Sequence, residues 1–233
     1  MSTPLLQVQG LHAFYGRAHI LFDLDLTVAR GEVVALMGRN GAGKSTTLKA
    51  IMGLLSGTRG QCHFDGRDIS LLAPYQRARL GLGFVPEDRR IFTELSVLQN
   101  LETGRQPARS GAPQWTPQAL FELFPNLGAM PDRLGGRMSG GEQQMLTIAR
   151  TLMGNPHLLL LDEPSEGVAP LIVEQMAAMI VKLKQAGMAI LLCEQNFHFA
   201  ELVSDRAYLL DLGHVRHQGT PASVQAHQWE STL

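Results

Sequence analysis

The sequence predicts an α/β fold: a core built on a mostly parallel sheet, with an antiparallel β section near its start and a helical insertion within it. Three observations predict it. Residues 33–37, 158–161 and 188–193 are unbroken apolar runs, the pattern of strands in a parallel sheet covered on both faces. Strand and helix patterns alternate before residue 88 and after residue 155, while 88–155 reads as mostly helical. Between the strand at 33–37 and a helix opening at Lys44 lies Gly38-Arg39-Asn40-Gly41-Ala42-Gly43-Lys44-Ser45-Thr46, a G-x-x-x-x-G-K-[ST] loop in its strand–loop–helix context.

The elements follow in order. Strands are predicted at 5–9, 18–28 and 32–37, separated by turn signals at Tyr15-Gly16 and Arg30-Gly31. The helix from Lys44 is predicted to run to residue 55 and stop at Gly57. A strand at 61–64 and the Asp65-Gly66 turn predict a further hairpin. A short helix at 73–80 precedes a strand at 83–85, halted by Pro86. Within the helical section, residues 104–116 are rich in Gly, Pro, Ser and Arg and predict an exposed, mobile loop. Beyond it come strands at 158–161, 188–193, 206–211 and 214–218, with helices at 170–185 and 196–203. No internal repeat occurs. The expected organisation is one domain over 1–233, with a core from 1–87 and 156–233 and a helical subdomain at about 88–155.

Composition narrows the function. The chain has 233 residues, 45% of them apolar, and a formal net charge of −1. A large core is affordable, and the charge excess of a nucleic-acid binder is missing. Lysines are few: Lys44, Lys49, Lys182 and Lys184. Cys62 and Cys193 lie far apart and read as buried thiols of a reducing compartment. His214 and His217 fall on a predicted hairpin, where their spacing puts them on opposite faces and argues against a shared metal. No apolar run of about 18 residues occurs, and Met1-Ser2-Thr3-Pro4 lacks the basic and apolar regions of a leader. The expectation is a cytosolic chain that can sit on a membrane partner.

Three segments carry chemistry. In the phosphate loop, Gly38, Gly41 and Gly43 let backbone N–H groups turn toward phosphates, and the helix from Lys44 adds its positive end. Lys44 is a mobile cation for the β- and γ-phosphates, and Ser45 offers a hydroxyl to Mg²⁺. The run Leu158-Leu159-Leu160-Leu161-Asp162-Glu163 delivers two carboxylates to the C-terminal edge of the sheet, where such sheets bind ligands. Asp162 can hold Mg²⁺, directly or through water, and Glu163 can polarise the water that attacks the γ-phosphate. Third, Ser139, Gly140 and Gly141 open a helix. They can make a second anion site, and Ser139 with Glu142 can equally form a capping box; both readings can hold together.

Ser139-Gly140-Gly141-Glu142-Gln143 resembles the signature motif of ATP-binding cassette (ABC) ATPases, and the three segments come in that family's order over nearly the whole chain. The resemblance implies the P-loop NTPase fold with an ABC ATPase core. It implies ATP and Mg²⁺ as cofactors, and hydrolysis to ADP and phosphate coupled to transport. It further implies a second ABC ATPase, identical or a sister. Each ATP would lie between one chain's phosphate loop and the other's Ser139, Gly140, Gly141 and Glu142. Two transmembrane permease subunits, and indirectly a periplasmic solute-binding protein, are the implied partners, with no nucleic acid. The implied location is the cytoplasmic face of the inner membrane, as a peripheral subunit.

Residue by residue, Tyr15 stands where the family stacks an aromatic ring on adenine, and residues 38–46 hold the phosphates. Glu87 occupies the place of a glutamine that senses Mg²⁺ and the membrane partner; a carboxylate accepts or coordinates but donates no amide N–H. Gln195 replaces a histidine that touches the γ-phosphate, and joins Glu163 and Lys44 as a catalytic residue. Ala169 replaces an aspartate. Val85-Pro86-Glu87, Arg89-Arg90-Ile91-Phe92, Glu122-Leu123-Phe124-Pro125, residues 138–146 and Glu194-Gln195-Asn196 are similar to the branch serving branched-chain amino acid importers, as the second of its two ATPases. Ser165-Glu166-Gly167 and the C-terminal ending depart from that branch, and the former resembles amide and urea importers. Two alternatives stand beside this reading. One is a non-transport ABC factor, disfavoured by a single phosphate loop and no sustained heptads. The other is a GTPase switch, for which Asp132-Arg133-Leu134-Gly135 matches D-x-x-G while no N-K-x-D motif occurs.

Overall fold

The computed structural model describes residues 3–230. Met1 and Ser2, half of the segment read as leaderless, and the C-terminal ending at 231–233 lie outside them. In chain order, β1 (Leu6–Tyr15) and β2 (Ala18–Val28) form a hairpin, and β3 (Val33–Met37) leads through the phosphate loop into α1 (Lys44–Ile51). Then come β4 (Gly57–Phe64), β5 (Arg67–Asp68), α2 (Pro74–Leu80) and β6 (Leu82–Val85). Helices α3 (Val97–Thr103), α4 (Pro117–Leu123), α5 (Pro125–Gly128) and α6 (Gly140–Leu152) intervene before β7 (Leu158–Asp162). The rest is α7 (Pro170–Gln185), β8 (Ala189–Glu194), α8 (Phe197–Val203), β9 (Arg206–Asp211), β10 (His214–Gly219) and α9 (Pro221–Glu230).

Two sheets result. An antiparallel one has the order β2-β1-β4-β5, and a six-stranded one the order β10-β9-β3-β8-β7-β6. The larger sheet is parallel except for the β9–β10 hairpin. Alternation explains its apolar strands. Val33, Ala35 and Met37 of β3, with Ile190 and Leu192 of β8, join a core with α6, α7 and α8. Val34, Leu36, Ala189, Leu191 and Cys193 face the opposite core, with α1 and the antiparallel sheet. Each fully buried Leu or Ile contributes roughly 1.5–3 kcal/mol, so both faces must be apolar. Both thiols are buried, and burial pushes Cys62 up to about 12.

The structure revises several boundaries. β1 continues past residue 9 to Tyr15, with Gly10 at φ 58 and register shifts against both neighbours. α1 stops at Ile51, four residues before the predicted end. Its last carbonyls are taken by buried Arg77, whose Nη1 donates to Ala50 O at 3.0 Å and Ile51 O at 2.7 Å. With the helix ended early, β4 starts at Gly57 instead of 61. The 104–116 loop is largely exposed but not free. Arg109 donates to Arg79 O (2.6 Å), and Asn155 bonds both Trp115 N and Gln106 O. α9 was not predicted. His214 and His217 take different partners, Phe22 and His227 respectively, through stacked rings. No helix among the described residues is long and apolar enough to cross a membrane.

Candidate functional site

Strand order brings the chemistry together. β8 lies between β3 and β7, pairing Met37 with Glu194 and Asp162 with Cys193. The phosphate loop, the two acids and Gln195 therefore leave neighbouring strands at one edge. The loop must pass tightly there. A Cβ on Gly38 would lie 2.3 Å from Leu210 O, and one on Gly43, at φ 110, 2.6 Å from Leu21. The β9–β10 turn braces it from outside: Gly213 N donates to Ala42 O (2.9 Å), and Phe22 N to Gly213 O (3.0 Å).

A cavity of about 490 Å³ opens at this edge, lined by Tyr15, Asn40, Gly41, Gly43, Lys44, Ser45, Thr46, Glu87 and Glu163, together with Ile20 and Glu166. Gly38 and Ala42 are buried behind it, and Arg39 is exposed beside it. Tyr15 presents a half-exposed ring. Lys44 is buried, with Nζ 3.0 Å from Gly38 O, 3.2 Å from Arg39 O and 2.9 Å from Glu163 Oε1. Ser45 Oγ donates to Asp162 Oδ1 at 2.8 Å. A hydroxyl and a carboxylate oxygen side by side are the hard donors that Mg²⁺ takes. Glu87 lines both this cavity and a neighbouring one that contains Asp162.

Glu163 sits at φ 46, a left-handed conformation that turns its carboxylate toward the loop. Gln195 Nε2 bridges Glu163 Oε2 (2.9 Å) and Asn40 Oδ1 (2.7 Å). Burial raises Asp162 above the usual carboxylate range, against the Ser45 hydroxyl. Burial also pulls Glu163 upward, but hydrogen bonds from Glu166, Lys44 and Gln195 outweigh it and hold it low. Glu166 is the complement, pushed up to about 7, first by its hydrogen bond to Glu163 and then by burial. The sequence marked Glu166 only as a departure, with no role; its place three residues after Glu163, in a Pro-Ser-Glu-Gly turn, was the available signal.

Ser139, Gly140, Gly141 and Glu142 do not line this cavity. They open α6, where Ser139 Oγ accepts from Glu142 N (3.3 Å) and Glu142 Oε2 from Ser139 N (2.7 Å), the reciprocal capping box. Arg89 and Ile172 crowd Gly140 and Gly141 so closely that a side chain would clash or press on them. Ser139 itself is exposed. Of Asp132-Arg133-Leu134-Gly135, weighed as a switch motif, the last two are tied into the helical section, Gly135 N donating to Leu95 O and Leu134 bridging Ser96, while Asp132 and Arg133 are exposed.

The ABC transporter family profile matches residues 21–166. The chain is 39% identical over 220 residues to the high-affinity branched-chain amino acid transport ATP-binding protein BraG of Pseudomonas aeruginosa, covering 94% of each. It is 36% identical over 222 residues to the lipopolysaccharide export system ATP-binding protein LptB of Haemophilus influenzae, covering 94% of this chain and 92% of that one. Its fold superposes on the ADP conformation of MJ1267, an ATP-binding cassette of an ABC transporter, with TM-score 0.80 and 25% identity, over 96% and 94% of the two chains. A glycine cradle, a buried lysine and paired acids on that fold are the parts of an ATPase, and the chain belongs to the ABC transporter family as an ATP-binding, ATP-hydrolysing subunit.

Proposed function

We propose that the chain energises uptake of branched-chain amino acids, or of related amino acids and amides, from the cytoplasmic face of the membrane. The observation that carries the enzymatic part is the Lys44–Glu163–Gln195–Asn40 network, one connected set joining phosphate loop, base and bridging amide. Residues 38–46 hold the phosphates and Tyr15 stacks on adenine. Ser45, Asp162 and Glu87 hold Mg²⁺, which supplies charge neutralisation at the phosphates. Lys44 exchanges its Glu163 contact for the γ-phosphate. The freed carboxylate then accepts the proton of the attacking water, while Gln195 donates its amide N–H to a γ-oxygen.

The signature residues lie away from the cavity and are exposed at Ser139, which supports their use on a second cassette's ATP. The working unit is then a head-to-tail pair, closing on ATP and reopening after hydrolysis. The section 88–155 acts as the helical subdomain that passes this motion, with Glu87, to two permease subunits. A periplasmic binding protein delivers the solute. Similarity to BraG, with Glu87, Gln195 and Ala169 as marks of its branch, supports amino-acid import. Similarity to LptB at nearly the same identity favours a second reading, export of lipopolysaccharide.

The native complex in proteoliposomes decides between them. Import predicts ATPase stimulation by a binding protein loaded with leucine or an amide. Stimulation by lipopolysaccharide alone selects export, and failure to co-purify with any polytopic membrane protein favours a non-transport factor.

A further inference from the structure

Glu194 ends β8, immediately before Gln195, and is 2% exposed. Burying a carboxylate costs several kcal/mol unless its lone pairs are taken up. Here three backbone N–H groups take them, and they come from two different segments. Ser165 N donates to Oε1 at 3.0 Å. Gln195 N and Asn196 N donate to Oε2 at 3.2 and 3.3 Å. Burial raises Glu194 from its ordinary value, and hydrogen bonds from the Ser165 side chain and these N–H groups oppose it.

Those segments carry the two groups that meet above the phosphate loop. Ser165 belongs to the turn that presents Glu163, closed by Glu166 N on Glu163 O at 3.2 Å. Gln195 presents the amide that bridges Glu163 and Asn40. A carboxylate has acceptor oxygens on both sides, whereas an amide of the same shape has one oxygen and must aim its NH₂ at N–H donors on the other. The two oxygens therefore hold two segments at once.

We propose that Glu194 is a positioning residue that clamps the Glu163 turn to the Gln195 segment, so that base, bridging amide and phosphate loop keep one geometry. The inference rests on the reading of Glu163 as the base. Glu194 touches no reacting atom; it acts through Gln195 and the turn.

A double-mutant cycle on the full chain tests it, with Glu194→Gln and Gln195→Ala, measuring steady-state ATPase activity and the affinity for a fluorescent ATP analogue. Glu194→Gln is expected to lower kcat at least about tenfold, since small misplacements of a reacting group are costly, while analogue affinity stays within about twofold. In the double variant kcat should fall no more than about twofold below the weaker single variant, because both act through one unit. Multiplying effects, an unchanged kcat in Glu194→Gln, or a loss explained by weaker binding would each overturn the clamp. If Glu194→Gln does not stay folded by circular dichroism, Glu194→Asp, which keeps the charge but shortens its reach, takes its place under the same criteria. Glu163→Gln measured in parallel separates the two levels. If it retains wild-type turnover, the base assignment fails; if it is inactive while the cycle multiplies, only the clamp fails.

Discussion

At the scale of single residues, the site is a set of charges held in mutual restraint. Lys44 and Glu163 are both buried and paired at 2.9 Å, so neither is an isolated charge in a medium that penalises one. In the proposed mechanism, phosphate binding would replace one partner and release the other. Lys44→Ala should raise the Kd for ATP at least about tenfold, or about 1.4 kcal/mol, by isothermal titration; unchanged affinity would contradict the phosphate grip. Glu166 sets a pH dependence. Its folded pKa of about 7 lies above its ordinary 4.5, so the folded state holds the extra proton. That stabilisation is full below about pH 4.5 and is lost as pH rises through about 7. Thermal melts of Glu166→Gln should therefore gain on wild type between those values, and parallel curves would contradict the pairing. Asp162 and Glu163 were legible as site residues because an apolar strand delivers them to the sheet edge. Glu166 was passed over although its place in the turn after Glu163 was a local signal, and Glu194 was not legible because its Ser165 donor comes from a segment 29 residues away.

At the scale of elements, capping decides where the helices around the site begin and end. The start of α6 was legible: Ser139 and Glu142 at three-residue spacing form the box they suggest. The end of α1 has a local mark that Gly57 overshadowed: Gly53, at φ 76, follows the last turn, and Leu54 N closes on Lys49 O at 2.8 Å. What no local pattern shows is the added guanidinium of Arg77, 26 residues on. Arg77 also donates to Leu72 O and Ser70 O, and so joins the phosphate-loop helix to the segment leading into α2. Arg77→Leu leaves several carbonyls without a donor, each costing about 1–3 kcal/mol. Urea unfolding should show a loss of about 3 kcal/mol or more, and a loss under about 1 kcal/mol would mean that water replaces the guanidinium. The same logic covers 104–116. Its composition predicts a mobile loop, but Asn155 from beyond it bonds Trp115 N and Gln106 O, and the loop's own Arg109 reaches Arg79 O.

At the scale of the molecule, the larger sheet separates two cores and gathers the chemistry at one edge. The parallel architecture was legible because strands buried on both faces leave unbroken apolar runs. The antiparallel sheet was less so: β1 and β4 carry glycines and bulges that interrupt their alternation. The fold presents one complete phosphate grip, while Ser139 opens an exposed helix end that does not line that cavity. A phosphate grip and a separate exposed helix end on one chain fit the proposed pairing, in which closure on ATP would move the partners. In the proposed mechanism Glu163, released from Lys44, is the base for ATP hydrolysis within this site. The most direct measurement is ATP turnover by Glu163→Gln beside its ATP affinity. Turnover should fall to background with affinity within a few-fold of wild type; wild-type turnover in that variant would rule out Glu163 as the base.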